Sequence, residues 1–299
     1  MARRDGGQAS PDGGQAPEAR IERLLGARVE RLDDLGSSHS WTLHRAALAD
    51  GREVFAKIAH NRSGVFAAEA AGLRWLAEAG DGAPVPEVLG ADDRLLVLPW
   101  IRSGGATRDA AERLGRELAL LHTGARPDAF GAPWDGFIAD LPLDNTSDAG
   151  PWPRWYAERR LEPYLRRAAR HLSADGVRLV ERVLADIDEL AGPPEQPSRI
   201  HGDLWSGNVL WTDARALLID PAAHGGHRET DLAMMALFGT PHLDRIIAAY
   251  DEAAPLADGW RARIPLHQLH PLLVHVVLYG GSYGSSALEA ARAALAARP

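Results

Sequence analysis

An aspartate and an asparagine stand five residues apart in His201-Gly202-Asp203-Leu204-Trp205-Ser206-Gly207-Asn208, and Asp220-Pro221 follows twelve residues after the asparagine. Between them, Val209 to Ile219 reads as a strand, a turn at Thr212-Asp213-Ala214-Arg215 and a second strand. Two carboxylates and a carboxamide in that order suit phosphoryl transfer. One Asp orients and deprotonates a hydroxyl nucleophile, while the Asn and the later Asp hold the magnesium that bridges nucleotide phosphates. All are hard oxygen donors, the type magnesium prefers. Asp203 is therefore the candidate base, and Asn208 and Asp220 are the candidate Mg2+ ligands. Taken singly, each is equally a turn residue, because Asp and Asn in Gly-rich loops and Asp before Pro commonly start turns. The joint spacing carries the catalytic reading.

Such a set needs a cation for the phosphates, and the chain has a single lysine, Lys57. It lies in Glu53-Val54-Phe55-Ala56-Lys57-Ile58-Ala59, an alternating run that reads as a strand after the turn at Asp50-Gly51. A compact ammonium there can act on phosphates as a point charge. The next segment, Ser63 to Ala79, has helical periodicity with Ser63 as its expected cap and Val65, Phe66, Leu73 and Leu76 on one face. Glu69 falls in the middle of that apolar stripe. An uncompensated buried carboxylate costs several kcal/mol, so Lys57 is its expected partner; the plainer alternative puts Glu69 at the stripe edge, reaching water. A strand Lys paired with a helix Glu is a recurring part of kinase nucleotide sites.

Further upstream, Leu35-Gly36-Ser37-Ser38-His39-Ser40-Trp41 is a candidate phosphate-covering loop, with Gly36, Ser37 and Ser38 at its head; an ordinary hairpin loop fits these residues nearly as well. Val85-Pro86 is expected to open another strand pair. Arg94 to Leu98 reads as a buried strand leading through Pro99, Trp100 and Ile101 to Gly104-Gly105, a hinge-like sequence. The expected organisation is a disordered tail over 1–18, a first lobe over 19–100 and a second over 101–299.

Beyond the hinge the period changes from two to about 3.6. Thr107 is the expected cap of a helix through Leu114, Leu118 and Leu121 that Gly124 ends. Gly131 to Gly150 reads as a long loop, Trp152 to His171 and Ser173 to Leu190 as helices, and a further helix begins near Glu229. So few residues separate Asp220 from that helix that no long activation segment fits, which favours a small-molecule acceptor over a protein side chain. Within His224-Gly225-Gly226-His227-Arg228-Glu229-Thr230-Asp231, a structural role and substrate contact are equally open.

At 299 residues and 45% hydrophobic, the chain has the composition of a globular protein. The absence of cysteine excludes disulfides and thiolate metal sites and fits a cytoplasmic location. A net charge of -8 argues against nonspecific nucleic-acid binding. No apolar run approaches spanning length, so no membrane association is expected.

The stretches His201 to Asn208, Ile219-Asp220-Pro221-Ala222 and His227-Arg228-Glu229-Thr230-Asp231-Leu232-Ala233-Met234, with Leu237-Phe238-Gly239, resemble the fructosamine kinase (ketosamine 3-kinase) family. So do Trp152 to Leu165, Leu269 to His275 and Tyr279-Gly280-Gly281-Ser282-Tyr283. The resemblance implies an α+β protein-kinase-like fold, a strand-rich N-lobe and a mainly helical C-lobe, using ATP and Mg2+ to phosphorylate the sugar 3-hydroxyl of a ketosamine. It assigns Asp203 as base, Asn208 and Asp220 as metal ligands, and Lys57 with Glu69 as the phosphate-positioning pair. Adenine would meet the backbone of Pro99, Trp100 and Ile101, and Trp205 would either stack on the sugar or serve as a buried structural indole, with His201, His227, Glu229 and Asp231 as further substrate candidates. Two positions depart from the family pattern: Gly36-Ser37 where Gly-Gly is usual, and Pro99 where an acidic residue is usual. The expected partner is a small ketosamine or glycated amine, and the expected state a monomer or homodimer. Competing readings are a kinase of an aminoglycoside, choline-like amine or other small alcohol; a silent nucleotide-binding protein; and a metal hydrolase built from His201, Asp203, Asp220, His224 and His227.

Overall fold

The computed structural model describes residues 16–38, 40–60 and 64–297. Residues 1–15 of the expected tail, His39 and Ser63 lie outside these. The chain divides into two compact units, one made of 1–70 and 87–101, the other of 71–86 and 102–299.

The first unit begins with α1, Pro17–Leu25, which starts inside the stretch expected to be tail. Then come β1 (Val29–Ser38), β2 (Trp41–Leu48), β3 (Glu53–Ala59), the first part, up to Ala70, of α2 (Val65–Ala77), β4 (Gly90–Ala91) and β5 (Leu95–Pro99). The strands form one antiparallel sheet in the order β1-β2-β3-β5-β4. Alternation explains its core: Val54, Ala56 and Ile58 of β3 bury with Ala46 and Leu48 of β2, Leu95 and Val97 of β5, and Ile21 of α1. Gly36, Ser37 and Ser38 do not form an open loop, because β1 runs through them, pairing Gly36 with Leu43 and Ser38 with Trp41 across a bulge. Nor does Val85 open a strand; β5 pairs with β3 on one side and with the two-residue β4, Gly90–Ala91, on the other. Trp100 donates its N–H to Glu53 O at 2.9 Å.

The second unit is mainly helical. Its α3, Arg108–Thr123, is capped by Thr107, whose hydroxyl accepts from Ala110 N, and stops at Gly124. The expected loop after it contains a small hairpin, β6 (Gly136–Ile138) and β7 (Leu141–Leu143). Helix α4 (Trp152–Tyr156) continues through a π turn into α5 (Glu162–Ala168), followed by α6 (Ala174–Ala185) and α7 (Ile187–Leu190). Strands β8 (Ser198–Ile200), β9 (Val209–Trp211), β10 (Ala216–Leu218) and β11 (His224–Gly226) form two small pairs, β9 with β10 and β8 with β11. Helices α8 (Glu229–Leu237), α9 (Leu243–Ala253), α10 (Trp260–Tyr279) and α11 (Gly284–Ala296) complete it.

Two apolar clusters organise this unit. One gathers Trp152, Trp155, Tyr164 and Leu165 against Leu269, Leu273 and Val276 of α10 and the alanines of α11. The other gathers Leu114 and Leu118 of α3, Ile246 and Tyr250 of α9, and Val209 and Leu218 of the β9–β10 pair around Leu204. Helix α10 carries Pro271 in its interior, which cannot donate to the carbonyl one turn back. The Tyr156 hydroxyl reaches that His267 carbonyl at 3.3 Å and the Leu266 carbonyl at 3.0 Å. Helices α3 and α9 touch at Gly115, where a Cβ would collide with the Ile246 carbonyl and sit 3.0 Å from Ala249 Cβ. Gly115→Ala should therefore destabilise the fold by about 1–3 kcal/mol; urea denaturation reads the loss, and an unchanged midpoint would show that the two helices are not in tight contact.

Candidate active site

In the first unit, Lys57 lies on the face of β3 opposite Val54, Ala56 and Ile58, and its side chain is nonetheless about as buried as theirs. Its ammonium donates to both Glu69 oxygens, at 2.8 and 3.1 Å. The carboxylate in the apolar stripe of α2 thus has the partner its position demands. Geometry this close pins the ammonium at one point of the sheet surface.

In the second unit, the β9–β10 hairpin brings the other residues together. Val209 pairs with Leu218, and the register extends one step further as Ile219 N donates to Asn208 O at 3.0 Å. Asn208 and Asp220 are thereby neighbours although twelve residues apart. The hairpin turn closes as expected, with the Thr212 hydroxyl donating to Arg215 O. Asn208 directs its Nδ2 to Asp203 O at 2.9 Å and Asp203 Oδ2 at 3.1 Å. A carbonyl can only accept, so the amide nitrogen must face Asp203, which leaves Oδ1 on the other side of the carboxamide.

The loop carrying Asp203 is held from below. Gly202 has φ 79, and a Cβ there would collide with the Ala222 carbonyl, so only glycine lets the loop lie against the segment that follows Asp220. His201 is buried; its Nε2 donates to Ile219 O at 2.9 Å, and its Nδ1 accepts from Asp203 N at 3.3 Å. Burial lowers its pKa, which keeps the ring neutral and that tautomer in place. Asp231, fully buried at the start of α8, accepts from His201 N at 2.7 Å and Gly202 N at 2.9 Å, and from His122 Nε2 at 3.1 Å. His122 meets the Tyr250 hydroxyl at 2.9 Å through its other nitrogen. Burial acts to raise the Asp231 pKa, but these hydrogen bonds outweigh it and hold the carboxyl below the usual range.

Asp203 behaves in the opposite way. Burial, reinforced by the charge of Asp220, pushes its pKa up to about 7 despite the hydrogen bond from Asn208. A carboxylate titrating near neutrality is matched to accepting a proton from a hydroxyl. Asp220 adopts φ 58, a conformation that strains a residue with a side chain and that accumulates at functional positions. Two carboxylates repelling one another beside an amide oxygen form a donor set that fits a hard divalent cation.

The remaining expected residues separate. Trp205 reaches solvent, 40% exposed, whereas His201, His227, Glu229 and Asp231 are buried and held by protein groups. Arg263 grips both Glu229 oxygens at 2.6 and 2.9 Å. Against the opposing effect of burial, hydrogen bonds from His267 and Arg263 bring Glu229 down to about 2. His227 accepts from Glu229 N and packs on the Trp152 ring. The set proposed for a metal hydrolase does not gather: among the described residues, the ligating cluster is His227, Glu229 and His267, and its carboxylate is already neutralised by Arg263. His122 was not singled out from the sequence, where it reads only as the end of a helix; its place after Leu114, Leu118 and Leu121 on the apolar face was the signal that it had to be buried with a partner.

Residues 32–297 match the family model described as fructosamine kinase. The chain belongs to the fructosamine kinase family. A candidate ketoamine kinase of Enterococcus faecium is 34% identical over 247 residues, 78% of this chain and 84% of that one. A candidate from Thermus thermophilus is 35% identical over 74% of this chain and 79% of its own. The crystal structure of a candidate fructosamine-3-kinase from Thermobifida fusca superposes with a TM-score of 0.91 at 55% identity, covering 94% of this chain and 99% of that chain. An aminoglycoside phosphotransferase in complex with ADP and hygromycin B, at 16% identity and a TM-score of 0.62, shares the fold. The fold is thus the α+β two-lobe architecture of protein-kinase-like phosphotransferases, and the chain is an ATP-dependent phosphotransferase of sugar hydroxyls. Among the described residues, no helix is long and apolar enough to cross a membrane.

The raised pKa of Asp203 has a consequence for stability. Unfolded, the group releases its proton near pH 4; folded, it holds it to about 7, so stability falls as pH rises across that window and levels off above it. Asp203→Asn should remove this loss, making the nucleotide-free variant more stable than the wild type at pH 8 and not at pH 4. Parallel denaturation profiles at the two pH values would show that Asp203 is not perturbed.

Proposed function

We propose that this protein transfers the γ-phosphoryl group of ATP to the 3-hydroxyl of a ketosamine. The observation that carries this reading is the set formed by Asp203 and Asn208, hydrogen-bonded to each other, with Asp220 brought beside them by the β9–β10 hairpin. Asp203 orients the acceptor hydroxyl and takes its proton. Asn208 Oδ1 and the Asp220 carboxylate are the proposed Mg2+ ligands, and magnesium bound there supplies charge neutralisation for the transferring group. Lys57, fixed by Glu69, is the proposed phosphate contact. At the proposed adenine-binding segment, Pro99 has no N–H and that of Trp100 is engaged by Glu53 O, so a base would be read through carbonyls or through Ile101. Trp205, exposed beside Asp203, is the proposed stacking surface for the sugar. A cytoplasmic location is proposed with it, in keeping with the absence of cysteine.

The deciding test is magnesium-dependent ATP turnover with fructosyl-lysine, ribulosyl-lysine, free sugars, aminoglycosides and choline, with the phosphorylated position assigned by NMR. Turnover confined to ketosamines, at O3, is expected; turnover only on an antibiotic or amino alcohol would overturn the reading. Asp203→Asn should lower kcat by about 10²–10⁴-fold with nucleotide affinity nearly unchanged. Lys57→Arg should lower activity at least about tenfold, because a planar guanidinium cannot occupy the same point as an ammonium. Wild-type kinetics in either variant would remove that residue from the mechanism.

A further inference from the structure

Beside Asp203 the second unit carries a row of aromatic rings of which the proposed chemistry uses only the first. It begins at Trp205, whose ring meets Phe238 edge-on at 6.1 Å. Phe238, just past the end of α8, lies 5.1 Å from His275. His275 in turn lies 5.6 Å from Tyr279, one turn along α10, and 4.8 Å from Tyr283. The two ends are open: Trp205 is 40% and Tyr279 57% exposed, with Phe238, His275 and Tyr283 half-buried between them.

The row is held rather than loose. The Trp205 ring lies over Gly207, where any Cβ would collide with it, so the glycine makes room for an indole that nonetheless faces solvent. His275 Nδ1 is 2.7 Å from Pro271 O, which fixes the proton on that nitrogen, and burial lowers the pKa, leaving a neutral ring with an acceptor at Nε2. Aromatic surface that is open at both ends and half-exposed between them offers a place to bind, and rings fixed in advance lose little entropy when it is filled.

We propose that Phe238, His275, Tyr279 and Tyr283, continuing the row from the sugar-stacking Trp205, form a platform for the apolar substituent on the acceptor's amine nitrogen, so that the enzyme selects ketosamines by what their nitrogen carries. The inference rests on the ketosamine kinase reading. In a ketosamine the nitrogen lies two carbons from the carbon bearing the 3-hydroxyl. With that hydroxyl at Asp203, the nitrogen and its substituent fall within reach of rings that begin two residues further along the same loop. The open end at Tyr279 sets no limit on length, which suits an extended alkyl arm better than a small, closed head group.

The test compares N-methyl- and N-hexyl-fructosamine as acceptors. Partial burial of the added methylenes should give the wild type a roughly tenfold higher kcat/KM for the N-hexyl compound. Tyr279→Ala and Phe238→Ala should bring that ratio down about threefold or more, carried by KM, whereas Tyr279→Phe and the distant surface variant Leu120→Ala should keep it. A wild-type ratio near one, or a ratio that both alanine variants preserve, overturns the platform while leaving the kinase reading intact. No turnover of either compound overturns both. A wild-type dimer that Tyr279→Ala converts to monomer with the ratio unchanged would assign the row to a second copy of the chain and likewise overturn the proposal.

Discussion

The Asp231 carboxylate is the point on which the second unit's chemistry turns. It lies fully buried at the start of α8 and accepts the backbone N–H groups of two successive loop residues, His201 and Gly202, immediately before Asp203. Without an acceptor those two donors would be stranded away from water, each at a cost of about 1–3 kcal/mol. With it, the loop has one conformation. His122 completes the shell and is itself fixed by Tyr250, so a helix on the far side in sequence, α3, sets the position of the carboxylate that orders the loop.

From that anchor the rest follows by short steps. Gly202 permits contact with Ala222; His201 ties Asp203 N to Ile219 O; the hairpin ties Asn208 O to Ile219 N. Hydrogen bonds to the backbone, from the Asp231 and His201 side chains and across the hairpin, thus fix where Asp203, Asn208 and Asp220 stand. Burial, reinforced by the charge of Asp220, pushes the Asp203 pKa up to about 7, and Asp220 itself stands at φ 58, a strained conformation. Both features are costs to folding, and both suit a site that receives a cation and a proton.

Much of this was legible in the sequence because it is local or periodic. The Thr107 cap, the strand-turn-strand after Asn208 and the demand of Glu69 for a cationic partner each follow from a few adjacent residues or one helical face. The roles of His201, Glu229 and Asp231 were not legible, since a polar residue near a catalytic motif reads equally as ligand contact or as scaffold until its burial is known. Arg263 lies thirty-four residues from Glu229 and His122 more than a hundred from Asp231; no periodicity connects such pairs. The Gly36 segment misled for a different reason: its glycine suited a loop, yet a bulge let β1 continue through it. The aromatic row was likewise beyond reach, because Trp205, Phe238 and His275 come from three elements that only packing aligns.

The most direct test of the anchoring role is the turnover number of Asp231→Asn, which keeps the volume of the side chain but replaces one acceptor oxygen with a donor. With Asp203, Asn208 and Lys57 untouched and folding verified by denaturation, kcat should fall at least about tenfold, since small misplacements of a catalytic group cost that much or more. A folded variant that turns over at the wild-type rate would contradict the account.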